Sequence, residues 1–118
     1  MPLPDFPRLT QQINSQLAPL RAGQPDTLKG FGALAKAAMA EGALDAKTKE
    51  LIALAIGVAQ RCDGCIGLHA KALVQLGASE QELQEMLGVA VLMGGGPSLM
   101  FAANALAAFQ QFEQAKAA

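Results

Sequence analysis

The chain has no tryptophan and no tyrosine, and its 118 residues include only 5 phenylalanines and one histidine. With the β-favouring aromatics almost missing and alanine and leucine abundant, the composition favours helices over strands. Charge of a dominant sign is missing too: 9 Lys and Arg against 10 Asp and Glu give a formal net charge of −1. No run of basic residues occurs and no aromatics interleave with them, so a nucleic-acid partner has no electrostatic footprint here. No apolar stretch reaches about 18 residues free of charges or glycine breaks, so none is expected to span a membrane. The opening segment, Met1 to Pro7, has neither a basic start nor an apolar run and does not read as a signal peptide, which makes the cytoplasm the expected compartment. Cysteine is equally scarce. Two cysteines in a reducing compartment read as reactive or metal-bound rather than as a permanent cross-link.

What is present is apolar: 52% of residues are hydrophobic. A chain of this length is read as one domain over residues 1–118, large enough for a core but short of interior volume for so many apolar side chains. The surplus is expected between subunits of a homo-oligomer.

The hydrophobic spacing predicts an all-α bundle of about six helices. Leu9, Ile13 and Leu17 mark a first helix from Arg8 to about Leu20, broken at Ala22 to Pro25. Asp26 or Thr27 is expected to cap a second helix running to Glu41 along Leu28, Phe31, Leu34, Ala35 and Met39. Asp45 caps a third, from Ala46 to about Arg61, whose stretch from Leu51 to Ala59 is apolar nearly all round and is therefore expected to be central and buried. A fourth helix from about Cys62 to Leu76 stops at Gly77. Ser79 and Glu82 spell a capping box for a fifth, Glu80 to about Met93, and Gly94 to Pro97 separate it from a last helix, Ser98 to Ala115.

The candidate chemistry lies at the start of the fourth helix, in Cys62-Asp63-Gly64-Cys65, with His69 four residues on. At about 100° per residue, positions 62, 65 and 69 would project within roughly 60° of one another. A thiol near a helix N-terminus gains from unpaired N–H groups and the positive end of the dipole. C-x-x-C spacing permits a disulfide, with Gly64 leaving room above it. His69, at i+4 from Cys65, could take the proton of the second thiol and make it a nucleophile. Glu50, twelve residues before Cys62, is the candidate to orient the imidazole.

Glu50, the C-x-x-C pair and His69, in the spacing E-x11-C-x-x-C-x-x-x-H within a small helical chain, resemble the AhpD-like alkyl hydroperoxidase core of the carboxymuconolactone decarboxylase superfamily over roughly residues 28–110. The resemblance implies an antioxidant thiol peroxidase acting on a hydroperoxide. Cys65 would be the peroxidatic cysteine, passing through a sulfenic acid. Cys62 would donate a proton and resolve the intermediate as a disulfide, and Glu50 and His69 would form a proton relay. It also implies no cofactor, a lipoyl or thioredoxin-like dithiol reductant, and a trimer or hexamer. Best-described AhpD proteins are longer, with two related halves, and some carry histidine where this chain has Gly64.

Other readings attach to the same residues. Cys62, Cys65, His69 and Glu50 are acceptable zinc ligands, but no second C-x-x-C or H-x-x-x-H completes a paired motif. The cysteines could simply pack in the core. The superfamily includes decarboxylases, which do not depend on a C-x-x-C pair, and a disulfide could serve an oligomeric redox sensor without turnover. Gly94-Gly95-Gly96 lacks the strand and the Lys-Ser or Lys-Thr of a phosphate loop and reads as a turn. Met86, Met93 and Met100, each seven apart, fit core or subunit interface better than a substrate lining.

Overall fold

The computed structural model describes residues 3–118; Met1 and Pro2, the first residues of the opening segment, lie outside the described residues. Six helices follow in order: α1 (Phe6–Gly23), α2 (Pro25–Met39), α3 (Ala46–Ala59), α4 (Asp63–Gln75), α5 (Glu80–Gly94) and α6 (Gly96–Ala117). Among the described residues there is no strand, and no helix is long and apolar enough to cross a membrane. The all-α expectation holds.

Helix starts follow their local chemistry. Asp45 accepts from the Thr48 N–H at 2.7 Å to open α3. Ser79 and Glu82 form the reciprocal capping box of α5. The second helix departs from expectation: it starts at Pro25, with Gln24 as N-cap and no side-chain cap hydrogen bond. Proline at the first helical position needs no N–H partner and arrives with φ already helical, so Asp26 and Thr27 become part of the first turn instead of capping it.

The core is built from α3 to α6. Leu54 and Val58 of α3, Ile66, Ala70 and Leu73 of α4, Leu83 of α5, and Ala105, Ala108 and Phe109 of α6 are fully buried. At roughly 1.5–3 kcal/mol for each large side chain taken from water, this cluster is the main favourable term. α4 is the pivot, packed against α1, α3 and α6. The third helix is less enclosed than its composition suggests. Only Leu54, Gly57 and Val58 are buried there, while Ile52 and Ile56 face outward. A helix that is apolar on every side finds neighbours within this chain for one side alone. The same holds for α2, which has no buried residue and leaves Phe31 and Leu34 about two-thirds exposed.

The first helix is fastened at its start. Phe6 is fully buried, its N–H donates to Gln111 Oε1 at 2.8 Å, and Gln111 Nε2 donates to the Pro4 carbonyl at 2.9 Å. That anchor lays α1 along α4.

α3 and α4 end alike. After α4 the Gly77 N–H bonds to the Val74 carbonyl and the Ala78 N–H to the Leu73 carbonyl, with Gly77 at φ 76°. After α3 the Arg61 N–H bonds to the Val58 carbonyl and the Cys62 N–H to the Gly57 carbonyl, with Arg61 at φ 55°. Both are Schellman terminations, which demand a left-handed residue and favour glycine. Arginine there carries a steric cost that glycine does not. Arg61→Gly is therefore expected to stabilise the fold by about 1 kcal/mol, read as a rise in the thermal midpoint.

Between α3 and α5, Lys47 Nζ and Glu82 Oε2 pair at 2.7 Å. Hydrogen bonds from Lys47 and from the Ser79 N–H hold the Glu82 carboxyl below its ordinary 4.5, and hydrogen bonding from Thr48 holds Asp45 below 3.8. Because folding depresses both values, their contribution is complete above the unfolded pKa values and is lost as pH falls through the folded ones. Thermal midpoints should stay level above about pH 5 and drop below about pH 4, with a shallower drop in Asp45→Asn.

Candidate active site

Cys62 belongs to two helix ends at once. It directly follows the left-handed Arg61 that closes α3, and at φ −110° and ψ 97° it is the N-cap of α4. Its sulfur takes the part that a serine or aspartate oxygen plays elsewhere, accepting from the Cys65 N–H at 3.2 Å. Cap geometry, rather than the periodicity of one continuous helix, thus brings the two cysteines together. Their Cα atoms are 5.2 Å apart and the sulfurs are joined as a disulfide. Both residues are half-buried. The room above Gly64 is taken by Ile13 of α1, whose Cδ1 would lie 3.0 Å from a Cβ at that position.

The imidazole of His69 is held from α3. Its Nδ1 lies 2.6 Å from Glu50 Oε2, and the two side chains are 25% and 15% exposed. An ionised carboxylate can only accept, so Nδ1 carries the hydrogen and Nε2 is the ring nitrogen left for proton transfer. A cavity of about 630 Å³ gathers Cys62, Cys65 and His69 with Thr10, Ile13, Leu17 and other residues of α1, Phe31 of α2, and Gly64, Leu68 and Lys71. Glu50 does not line it and reaches it through the ring. All four residues singled out in the sequence therefore converge, three of them on the cavity surface and one behind. Among the described residues, no three of His, Cys, Asp and Glu converge in a way that could hold a metal ion.

Several contributors carried no sequence signal strong enough to select them. Asp63, in the first turn of α4, accepts from Asn104 Nδ2 of α6 at 3.2 Å and ties the C-x-x-C turn to the core. Asn104 is a polar residue inside the apolar run from Phe101 to Phe109, which is the available hint. Of the three methionines spaced by seven, Met86 packs against the core while Met93 and Met100 are exposed; the cavity lining includes none of them.

A sequence profile of the carboxymuconolactone decarboxylase family matches residues 25–108. An uncharacterized protein of Cupriavidus necator is 41% identical over 102 residues, covering 86% of this chain and 89% of that one. An uncharacterized protein of the Paracoccus denitrificans cox locus is 38% identical over 85 residues, covering 72% and 77%. Among solved structures, the apo form of a carboxymuconolactone decarboxylase family protein from Legionella pneumophila superposes with a TM-score of 0.90 at 56% identity, covering 92% of this chain and 96% of that one. A family protein from Thermotoga maritima, described with a suggested involvement in antioxidative response, gives a TM-score of 0.81 at 30% identity, covering 92% of each chain.

The Asp63–Asn104 bond joins segments 41 residues apart. Asn104→Ala, which leaves the Asp63 carboxylate without this donor, is expected to lower unfolding stability by about 1 kcal/mol in urea.

Proposed function

The chain belongs to the carboxymuconolactone decarboxylase family, and from that premise we propose that it is a thiol-dependent peroxidase cycling Cys62 and Cys65 between dithiol and disulfide. One observation carries the reading: the Cys62–Cys65 disulfide and the Glu50-backed imidazole of His69 share one cavity.

In the proposed cycle the Cys65 thiol gives its proton to His69 Nε2, one helical turn away. The Cys65 thiolate attacks the terminal oxygen of a hydroperoxide, the O–O bond breaks, and the alkoxide or hydroxide leaves with its electron pair. Protonation of that strongly basic oxygen lowers the barrier, and the imidazolium is the donor at hand. Glu50 steadies the positive charge on the ring while it is protonated. Cys62 then attacks the Cys65 sulfenic acid, giving the disulfide and water. The Cys65 N–H donates to the Cys62 sulfur, which keeps the resolving sulfur beside Cys65. An external dithiol, of lipoyl or thioredoxin-like type, restores both thiols by exchange and is itself oxidised to a disulfide.

The assembly proposed is a cytoplasmic homo-oligomer, trimeric or hexameric. Supporting the oligomer are large apolar side chains left exposed among the described residues, Leu92 and Met93 at about 80%, beside Leu34 of α2 and Ile52 and Ile56 of α3.

With a supplied dithiol as reductant, Cys65→Ser should abolish hydroperoxide turnover. Cys62→Ser should stop at a sulfenic acid on Cys65 that dimedone traps and mass spectrometry detects. Glu50→Gln should lower the rate about ten- to a hundredfold without changing the thiol count. Full turnover in Cys65→Ser would remove the proposal.

A further inference from the structure

A cavity of about 630 Å³ is far larger than hydrogen peroxide requires, and its wall combines large apolar side chains with the uncharged polar Thr10, Gln11 and Asn14 of α1. Ile13 and Leu17 of α1, Phe31 of α2 and Leu68 of α4 supply an apolar lining beside the cysteines, and no carboxylate lines it. Among the described residues, Lys71 is the one ionic lining group apart from the His69 ring. Gly64, Leu68 and Lys71 stand at i, i+4 and i+7 along α4, so they form one stripe facing the cavity. Lys71 lies six residues past Cys65, about 9 Å along the helix axis. Its side chain enters no ion pair among the described residues. A lysine in such a place lays its methylenes along apolar surface and keeps the ammonium at the mouth.

We propose that the cavity takes an amphipathic organic hydroperoxide of fatty-acid type, with its chain between α1 and α4, its O–O group at Cys65 and its carboxylate on Lys71. The inference deepens the peroxidase reading and rests on it for the reacting end. The redox balance is unchanged: the sulfur of Cys65 gains the terminal oxygen, the O–O bond breaks, and the alkoxide takes a proton to leave as a hydroxy acid. Lys71 is the specificity-determining contact, a charge-assisted pair at the far end of an apolar run. Leu68, Phe31 and Leu17 select for hydrocarbon over water-sized peroxides.

The test has two arms. In the first, dodecanoate and dodecanol, neither of which has an O–O bond, displace a fluorescent apolar probe from the full-length protein. The acid should bind about tenfold tighter than the alcohol, Lys71→Gln should erase that preference, and Lys71→Arg should retain it. In the second, kcat/KM is compared for linoleate hydroperoxide and its methyl ester, and the acid's advantage should collapse in Lys71→Gln. Equal binding of acid and alcohol, a preference that survives Lys71→Gln, or no binding of either compound would overturn the proposal. A charge preference in the first arm with no oxidation of the dithiol by any hydroperoxide would remove the peroxidase reading and leave the anionic chain site in place.

Discussion

The site depends on one residue serving two helix ends. Cys62 contributes its N–H to the termination of α3 and its sulfur to the N-cap of α4. No residue is spare between the two helices, so the C-x-x-C pair cannot shift without undoing one end or the other. Arg61 carries the cost of this economy. It takes the left-handed conformation that the corresponding position after α4 gives to Gly77. Strain of this kind persists where the surroundings over-determine the backbone, and here the surroundings are the buried faces of α3 and α4. Asp63, bonded to Asn104, adds a third tether from α6.

Once the turn is fixed, the remaining chemistry falls into place by helix geometry. Glu50 stands near the start of α3 and His69 in the second turn of α4, and antiparallel packing of the two helices lets residues 19 apart in sequence meet at 2.6 Å. The pair needs no water and no further residue to set the tautomer. The cysteine pair and the Glu50–His69 pair therefore both belong to one helical hairpin, whose inner face is held by Leu54, Val58, Ile66, Ala70 and Leu73.

Legibility in the sequence followed the range of each interaction. Asp45 as a cap, the Ser79–Glu82 box and the glycine stop after α4 are contacts over a few residues, and each reads directly from residue type and spacing. The ends of α2 were harder, because proline at its first position replaces a side-chain cap with a preset backbone angle. Glu50 and His69 were legible only through their spacing to the cysteines, since a glutamate beside Lys47 and Lys49 has the look of a solvated charge. Asn104 and Asp63, 41 residues apart, left almost no local trace. Nor could the apolar run of α3 say which of its sides would face this chain's own core. Composition gives the amount of apolar surface, and only packing decides its direction.

The cavity has two walls of unequal stability. The wall that carries the sulfurs and the imidazole belongs to α4, which places five residues in the core. The facing wall comes from α1, buried only at Phe6, and α2, with no buried residue at all. Local opening costs least where few apolar contacts must be broken, so the outer wall is the less firmly held of the two. The division suits the proposed thiol chemistry: positions that must be held to tenths of an ångström sit on the hairpin, and positions that need only present apolar surface sit on the helices with few buried residues.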